Sequence, residues 1–260
     1  MPSITVHGAS VFYRRHPARE AGEAGNVPLL LVHGAGGTLT HWPPHLRRLP
    51  GRTVIAPDLP GHGQSTGAGL ASIAEYGTWL VALLDALHID RAVLAGHSMG
   101  GAIVLDVARR FPARVAALAL LATGPTLRVA PALLDGLRSD FAATTARIAR
   151  LAYARTVADE PVAAYAAQLQ TVDPALLVAD FQACNAFDVR EQLAAVTAPT
   201  LILVGTEDRM TPPALSRALH AGLPDSTLTI LDGAGHMLML EQEAAVMAEL
   251  DTFLKTHSHG

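Results

Sequence analysis

The chain has 260 residues and a formal net charge of −4, and half of its residues are hydrophobic while only 16% are charged. Because disorder requires low hydrophobicity and high charge, this composition excludes an intrinsically disordered chain. The mildly acidic balance offers no basic surface to nucleic acid or to an anionic membrane, so we expect neither as a partner. The length is typical of one large α/β domain, since such folds often form a single unit of roughly 200–250 residues.

The N-terminus and the cysteine content bear on the cellular compartment. The first residues, MPSITVHG, lack the basic and apolar segments of a signal peptide. The longest apolar run, near Val115–Ala122, is far shorter than the roughly 20 residues of a spanning helix. The single cysteine, Cys184, cannot form an intrachain disulfide, which fits a reducing compartment. The sequence therefore predicts a cytoplasmic protein without a membrane span, and it contains no feature that sets the oligomeric state.

Short strand-like runs recur along most of the chain. Ile4–Val6 and Ser10–Tyr13 predict a hairpin, and the polar stretch Arg19–Asn26 predicts a surface loop. Runs that are apolar throughout, rather than alternating, are typical of parallel strands covered on both faces. The remaining predicted strands are Pro28–Val32, Thr53–Ala56, Ala92–Ala95, Val115–Leu121, Thr200–Val204 and Thr227–Leu231.

Helical segments lie between and after these strands. The predicted helices are one that ends at Leu46–Leu49, then Ile73–Leu87, Gly100–Arg110, Pro131–Ser139, Phe141–Ala154, Pro161–Thr171, Pro174–Phe187, Pro212–Ala221 and Gln242–Lys255. From Arg128 to about Thr197 no strand-like run occurs. We therefore expect a doubly wound, mostly parallel eight-stranded sheet formed by residues 1–124 and 195–260, with a helical insertion at residues 125–194.

A serine stands where a predicted strand meets a predicted helix. The segment Gly96-His97-Ser98-Met99-Gly100 has the Gly-x-Ser-x-Gly pattern of a nucleophile elbow in the strand-turn-helix context that this motif requires. At a helix N-terminus the dipole also favours a developing negative charge on Ser98. The alternative is a glycine-rich turn in which Ser98 only caps the helix.

A serine nucleophile requires a base, and the base requires an orienting carboxylate. His236 follows the last predicted strand, and Asp208 directly follows the strand before it. The order serine, acid, histidine is one of the known orders of serine triads. We expect the rival acids Glu207 and Asp232 to be solvated loop carboxylates. His97 is a poor base, because adjacent side chains diverge in a sharp turn.

A further glycine-rich loop, His33-Gly34-Ala35-Gly36-Gly37, follows the strand Pro28–Val32. Its small residues allow backbone N–H groups to point into one cavity, as an oxyanion hole requires. The alternative, a phosphate-binding loop, is disfavoured because the chain lacks the Gly-x-x-x-x-Gly-Lys-Ser/Thr pattern and a true Gly-x-Gly-x-x-Gly pattern.

Over nearly its whole length the sequence resembles the α/β-hydrolase superfamily, specifically the esterase-like branch that carries a helical cap. The resemblance rests on four motifs in order: His33-Gly34-Ala35-Gly36, Asp58-Leu59-Pro60-Gly61-His62-Gly63-Gln64-Ser65, Gly96-His97-Ser98-Met99-Gly100, and Gly205-x-x-Asp208 with Gly235-His236. It implies that residues 125–194 cover the site as a cap, and that Asp58–Ser65 is a structural turn near the site, with a structural role for His62.

The resemblance also implies a role for each site residue. Ser98 would be the nucleophile, His236 the general base and acid, and Asp208 its orienting partner. The backbone N–H groups of Ala35 and Met99 would form the oxyanion hole. No metal and no organic cofactor is implied, because side chains and backbone fill every role.

The apolar insertion favours a small-to-medium carboxylic ester with an apolar acyl or alcohol group. Five large apolar residues are candidates for the pocket lining, with ordinary core packing as the alternative for each: Trp42, Leu127, Phe141, Phe187 and Met237. Ser98 argues against the dehalogenases and epoxide hydrolases of the superfamily, since these use an aspartate nucleophile. His97 and Met237 stand where carbon–carbon bond hydrolases commonly have Asn and Trp.

Several functions therefore remain open beside carboxylesterase activity. Enol-lactone hydrolases, carbon–carbon bond hydrolases, cofactor-free perhydrolases and hydroxynitrile lyases resemble this chain in its serine motifs. A non-enzymatic receptor that binds a small ligand on a hydrolase scaffold is the alternative from another class, because fold alone does not establish function.

Overall fold

The computed structural model describes residues 3–18 and 27–257, so the predicted loop Arg19–Asn26 lies outside the described residues. The predicted strands are present, with ends that differ by at most a few residues. In chain order the strands are β1 (Ser3–Val6), β2 (Ala9–His16), β3 (Leu29–Val32), β4 (Val54–Pro57), β5 (Ala92–His97), β6 (Val115–Leu121), β7 (Thr200–Gly205) and β8 (Ser226–Leu231).

The eight strands form one sheet in the order β1-β2-β4-β3-β5-β6-β7-β8. Strand β2 runs antiparallel to β1 and β4, and every other neighbouring pair is parallel. The predicted fold class is thereby confirmed. After β3 the chain adds β4 on one side and β5 on the other, so the strand order reverses between β3 and β5. In open α/β sheets a ligand crevice lies at such a switch point, outside the carboxyl ends of the strands.

Helices cover both faces of the sheet. Their bounds are α1 (Ile73–Ala86), α2 (Met99–Arg110), α3 (Pro131–Ser139), α4 (Phe141–Ala152), α5 (Asp159–Gln170), α6 (Pro174–Ala186), α7 (Pro213–Gly222), α8 (Leu238–Glu241) and α9 (Glu243–His257). In β3, Leu30 and Val32 pack with α1 and α2, whereas Leu29 and Leu31 pack with α9 on the opposite face. The coverage of both faces explains why the central strands are apolar at every position.

The prediction of a helix that ends at Leu46–Leu49 is wrong. The segment between β3 and β4 contains only two 3₁₀ turns, Leu39–His41 and Leu46–Arg48. Pro43 and Pro44 lie between these turns, and proline has no N–H to donate to a continuing helix. Helix α5 begins at Asp159, two residues before the proline that the sequence placed first.

Four helices, α3 to α6, lie between β6 and β7, and we call them the insertion helices. Leu137, Ile148, Leu169, Leu177 and Phe181 form an apolar cluster among these helices. The boundaries 125–194 and the covering role of this segment stay predictions. Within residues 3–18 and 27–257, no helix has both the length and the apolar character needed to cross a bilayer.

Candidate active site

Ser98 lies in the sharp turn between β5 and α2. Its backbone has φ 55° and ψ −119°, a conformation that a residue with a side chain rarely adopts. A Cβ atom on Gly96 would lie 2.2 Å from the carbonyl oxygen of Gly100, and one on Gly100 would lie 2.2 Å from that of Val32. The two flanking glycines therefore allow strand, turn and helix to pack closely enough to hold the serine in this strained position.

His236 is hydrogen-bonded to Asp208 across the ends of β7 and β8. Its Nδ1 lies 3.0 Å from Oδ2 and 3.2 Å from Oδ1 of Asp208. The carboxylate also accepts hydrogen bonds from the Thr211 hydroxyl at 2.7 Å and the Thr211 N–H at 2.8 Å. Burial favours the neutral acid, but the His236 charge and these hydrogen bonds outweigh it and lower the pKa of Asp208. The aspartate therefore stays ionised and holds the His236 ring.

The rival acids bond elsewhere. Glu207 accepts a hydrogen bond from the Arg155 N–H at 2.8 Å, and Asp232 accepts one from the Thr206 hydroxyl at 3.2 Å. Among the carboxylates in the described part of the chain, Asp208 is the one bonded to His236.

His97 lies beside His236 with a different role. Because the carbonyl oxygen of His236 can only accept, the Nε2–H of His97 donates to it, at 2.9 Å. The two rings are 4.7 Å apart between centroids. Burial first, and then the charge of His236, lower the pKa of His97 well below its usual value. The neutral His97 thus holds the backbone of His236 through this hydrogen bond.

The loop predicted to form the oxyanion hole, residues 33–37 and called the oxyanion loop below, adjoins Ser98. A Cβ atom on Gly34 would lie 3.1 Å from the Cβ of Ser98, so the loop and the serine turn are in close contact there. The N–H of Gly37 donates to the carbonyl of Gly34 at 3.0 Å, which closes a tight turn. Within residues 3–18 and 27–257, no protein acceptor takes the N–H of Ala35 or of Met99. Ala35 lines the cavity beside Ser98, so its unpaired N–H lies where a ligand would bind, whereas Met99 follows Ser98 in the chain and is fully buried.

Ser98, His236 and Ala35 share one cavity of about 240 Å³. The sheet side also contributes Thr211, and the opposite wall comes from the insertion helices. That wall is mostly apolar, with Leu133, Ile148, Leu151, Leu169 and Phe181. The arrangement combines a polar floor of Ser98, His236 and the Ala35 backbone with a mostly apolar roof.

Of the five predicted pocket residues, only Leu127 lines this cavity. Trp42 and Met237 are fully buried beneath the opposite face of the sheet, in the layer that includes α9. Phe187 packs in the core with α1 and α2, and Phe141 packs against the insertion cluster. These large apolar side chains fill the core instead, because packing there requires their volume.

The sequence reasoning missed the polar residues of the lining. His41 and Tyr165 border the cavity, as do Arg128, Arg147 and Arg209. The sequence pattern could have indicated one of these residues, Arg147. It lies four residues before Leu151, so the two side chains share a face of α4.

A second buried network joins the insertion to the oxyanion loop. Asp180 of α6 is fully buried and accepts hydrogen bonds from His62 at 2.7 Å, Tyr76 Oη–H at 2.9 Å and the Gly36 N–H at 2.9 Å. Burial lowers the pKa of His62, but the contact with Asp180 outweighs it and the pKa is raised. The sequence pattern that could have indicated this network is an aspartate inside an apolar helix, because a buried charge requires partners.

Both ring nitrogens of His62 face acceptors, since Nδ1 lies 2.9 Å from the carbonyl oxygen of Pro60. A carbonyl and a carboxylate cannot donate, so both nitrogens carry protons and His62 is a cation. His62 therefore forms a buried ion pair with Asp180, away from the cavity. Within the described residues, no three His, Cys, Asp or Glu side chains are grouped as a metal site would require.

Comparisons with known proteins agree with this fold. Residues 27–243 match the family model of the alpha/beta hydrolase fold. The chain is 34% identical to a pimeloyl-[acyl-carrier protein] methyl ester esterase of Aromatoleum aromaticum, over 85% of this chain and 96% of that protein. It is 35% identical to the dihydrolipoyllysine-residue acetyltransferase component of the acetoin cleaving system of Pseudomonas putida, over 92% of this chain but only 66% of that longer protein.

A solved structure of a thermophilic esterase superposes with a TM-score of 0.85 at 30% identity, covering 98% of this chain and 97% of that one. The match of the family model over most of the chain, the sheet order and the serine elbow point to one family. The chain belongs to the α/β hydrolase fold family.

Proposed function

We propose that this protein hydrolyses small-to-medium carboxylic esters with an apolar acyl or alcohol group, through an acyl-enzyme on Ser98. The arrangement of three side chains carries the proposal: Ser98 and His236 line one cavity, and His236 is bonded to Asp208 through Nδ1. The relatives named as esterases, at 34% and 30% identity, support the same class of reaction.

In the first half-reaction, Ser98 Oγ attacks the acyl carbon and its proton passes to Nε2 of His236. The Nδ1–H of His236 stays bonded to Asp208, whose charge stabilises the imidazolium. The carbonyl oxygen becomes an oxyanion and accepts hydrogen bonds from the N–H groups of Ala35 and Met99. The bond to the alcohol oxygen then breaks, and His236 returns its proton to that oxygen.

In the second half-reaction, water attacks the acyl carbon and gives its proton to His236. A second oxyanion forms at the same two N–H groups, and the bond to Ser98 Oγ breaks. His236 returns the proton to Ser98, and the carboxylic acid leaves. The scheme requires no metal and no organic cofactor.

The size and lining of the cavity support the proposed substrate class. A volume of about 240 Å³ lies below the roughly 300–1,000 Å³ of pockets that hold drug-sized ligands. The apolar roof favours an aliphatic group. We propose that residues 125–194 act as a cap that keeps bulk water from the acyl-enzyme.

A fluorophosphonate probe tests the nucleophile. We expect the wild-type protein to be labelled at Ser98, and the label to be lost in S98A and in H236A. S98A should also abolish turnover of an activated ester. A wild-type rate in S98A would overturn the assignment, and a protein that is never labelled would favour the ligand-binding receptor.

A substrate series tests the bond that is cleaved. We expect p-nitrophenyl esters of increasing acyl length to be hydrolysed with an optimum at short to medium length, and faster than lactones. A clear preference for lactones would replace esterase by lactonase activity. Uniformly trace rates would direct attention to carbon–carbon bonds or perhydrolysis.

A further inference from the structure

Gly36, in the oxyanion loop, is held from three sides by the insertion helices. Its N–H donates to Asp180 Oδ2 at 2.9 Å, and its carbonyl oxygen accepts a hydrogen bond from Gln168 Nε2 at 3.0 Å. A Cβ atom on Gly36 would lie 2.5 Å from Cδ1 of Leu177. Both polar groups of this backbone residue and the space beside its Cα are therefore occupied by α5 and α6.

This contact matters because Gly36 directly follows Ala35. Gly36 has φ +60°, and a glycine has access to more backbone conformations than any other residue. An oxyanion hole works only when its donors lie about 2.7–3.1 Å from the oxygen. A loop that contains Gly34, Gly36 and Gly37 requires outside contacts to keep the Ala35 N–H at such a position.

Both outside contacts have further hydrogen-bond partners of their own. Asp180 is bonded to His62 and to Tyr76, so the carboxylate is attached to the segment after β4 and to α1 as well as to the loop. Gln168 Oε1 lies 3.2 Å from Nε2 of His41, which borders the same cavity. The loop is thus attached to two independent anchors on two different helices.

We propose that Gln168 and Asp180 are positioning residues for the oxyanion hole, which act on catalysis through Gly36 without touching the substrate. The proposal rests on the proposed hydrolase function. It gives the insertion helices a part in the chemical step in addition to their covering role.

The decisive variant is Gln168→Leu, because Gln168 is only half-buried and the variant should fold. We expect kcat to fall at least about tenfold, less than the roughly 10²–10³-fold loss when a whole oxyanion-hole donor is removed, with KM little changed. Gln170→Leu is the matched control on the same helix. Its Nε2 bonds the Ala142 carbonyl within the insertion, so it should keep the wild-type kcat.

Asp180→Asn is the second variant, and we expect it to lower kcat in the same way where it folds. Equal kcat values in wild type, Gln168→Leu and Gln170→Leu would overturn the positioning role, and so would an equal loss in both glutamine variants. Retained turnover in S98A would instead overturn the proposed function. The two failures are therefore distinguishable.

The charges around the cavity carry a second inference, independent of the first. The cavity lining contains Arg128, Arg147 and Arg209 and, among the described residues, no Asp or Glu. This local excess of positive charge stands in a chain whose formal net charge is −4.

Two of these arginines, the exposed Arg147 and the partly buried Arg209, have no ion-pair partner among the described residues. Arg128 pairs with Asp188 at 3.3 Å, whereas no ion pair of the described residues involves Arg147 or Arg209. The Arg209 guanidinium donates to the carbonyls of Arg150 and Tyr153, and its Nε is buried without a partner. An uncompensated guanidinium at a cavity attracts an anionic group, above all a carboxylate.

The geometry points to an ester substrate that carries one carboxylate beyond its apolar segment, with Arg147 and Arg209 as its recognition groups. This inference also rests on the proposed function. It narrows the proposed substrates to esters in which the apolar segment ends in a single carboxylate.

Monomethyl adipate and methyl hexanoate form a matched pair, since a carboxylate replaces a methyl group at the far end. We expect a higher kcat/KM for monomethyl adipate, and a loss of about tenfold for that ester alone in Arg147→Gln, the effect of one charge-assisted hydrogen bond. Arg138→Gln on α3, whose guanidinium lies 3.8 Å from Asp135, is the control and should leave both esters unchanged.

Equal kcat/KM values for the two esters in wild type and Arg147→Gln would overturn the anion preference and leave the esterase function intact. Hydrolysis of neither ester, together with the absence of probe labelling at Ser98, would overturn the esterase function, and the anion preference would fall with it.

Discussion

The described part of the chain contains two buried aspartate–histidine pairs, and their surroundings differ. In the first pair, Asp208–His236, the N···O distance is 3.0 Å and His236 borders the cavity. In the second, Asp180–His62, the distance is 2.7 Å and the pair is sealed between α6 and the segment after β4. Both ring nitrogens of His62 meet protein acceptors. His236 is bonded to Asp208 through Nδ1, and its ring borders the cavity beside Ser98. The comparison teaches that the second ring nitrogen decides whether such a pair can move a proton or only holds two elements together.

The largest expected effect comes from breaking the cavity pair. We expect Asp208→Asn to lower kcat by about 10⁴-fold, because an amide does not hold the His236 ring in the required tautomer. Steady-state kinetics on an activated ester measure this loss. Asp232→Asn is the control, and it should change kcat less than about twofold, since Asp232 lies on the surface and a single surface substitution has little effect. An equal loss in both variants would contradict the assignment of Asp208.

The sealed pair should act on stability. We expect Asp180→Ala to lower the free energy of unfolding by about 3–5 kcal/mol, because His62 would be left as a buried charge without its partner. Urea unfolding measures the change. Asp251→Ala removes the exposed ion pair with Lys255 and should cost no more than about 1 kcal/mol. A change as small in Asp180→Ala as in Asp251→Ala would show that the sealed pair does not join the elements.

The variant Gly36→Ala separates the effect of backbone strain from that of the contact with Leu177. An alanine at φ +60° is strained, and its Cβ also meets Leu177, so we expect a loss of about 1–3 kcal/mol in unfolding free energy and a lower kcat. Gly8→Ala is matched in backbone, with φ +81° and no atom within 4 Å of the new Cβ. It should show only the strain, seen as a smaller loss in thermal unfolding with an unchanged kcat.

The smallest expected effect is on the pH dependence of stability, where the two pairs have opposite signs. His62 has a raised pKa, so its stabilising contribution is complete below the ordinary histidine value of about 6.5 and is lost as the pH rises through the folded pKa. Asp208 has a lowered pKa, so its contribution is complete above about 3.9 and is lost as the pH falls through the folded pKa.

His62→Gln tests this sign. We expect the variant to be destabilised relative to wild type more strongly at about pH 5.5 than at about pH 9, because only the lower pH leaves His62 charged in both states of the wild type. Denaturant unfolding at the two pH values measures the difference. A larger gap at the higher pH would contradict the ion pair.

The sequence was sufficient for the elements that local patterns determine. Each of Ser98, Asp208 and His236 follows a strand-like run, and parallel strands bring their carboxyl ends to one edge of the sheet, so their meeting was predictable. The helix predicted before β4 failed because a few apolar residues near prolines satisfy the same pattern as a helix end.

The pocket and the second pair could not be predicted in the same way. Residue size alone does not indicate which side of the sheet a side chain faces, and Trp42 lies beneath the face opposite to α1 and α2. Asp180 lies 144, 118 and 104 residues away from Gly36, His62 and Tyr76. Contacts at such separations depend on how the insertion helices pack, which no local pattern encodes.

The hold of the insertion on Gly36 has a consequence for protein engineering. Exchanging residues 125–194 for the corresponding segment of a relative, in order to change substrate range, would also remove Gln168 and Asp180 from the oxyanion loop. His62 would then remain as a buried cation without a counter-ion in the recipient scaffold. A chimera that keeps these contacts therefore needs a glutamine and an aspartate at the same two places of the new segment.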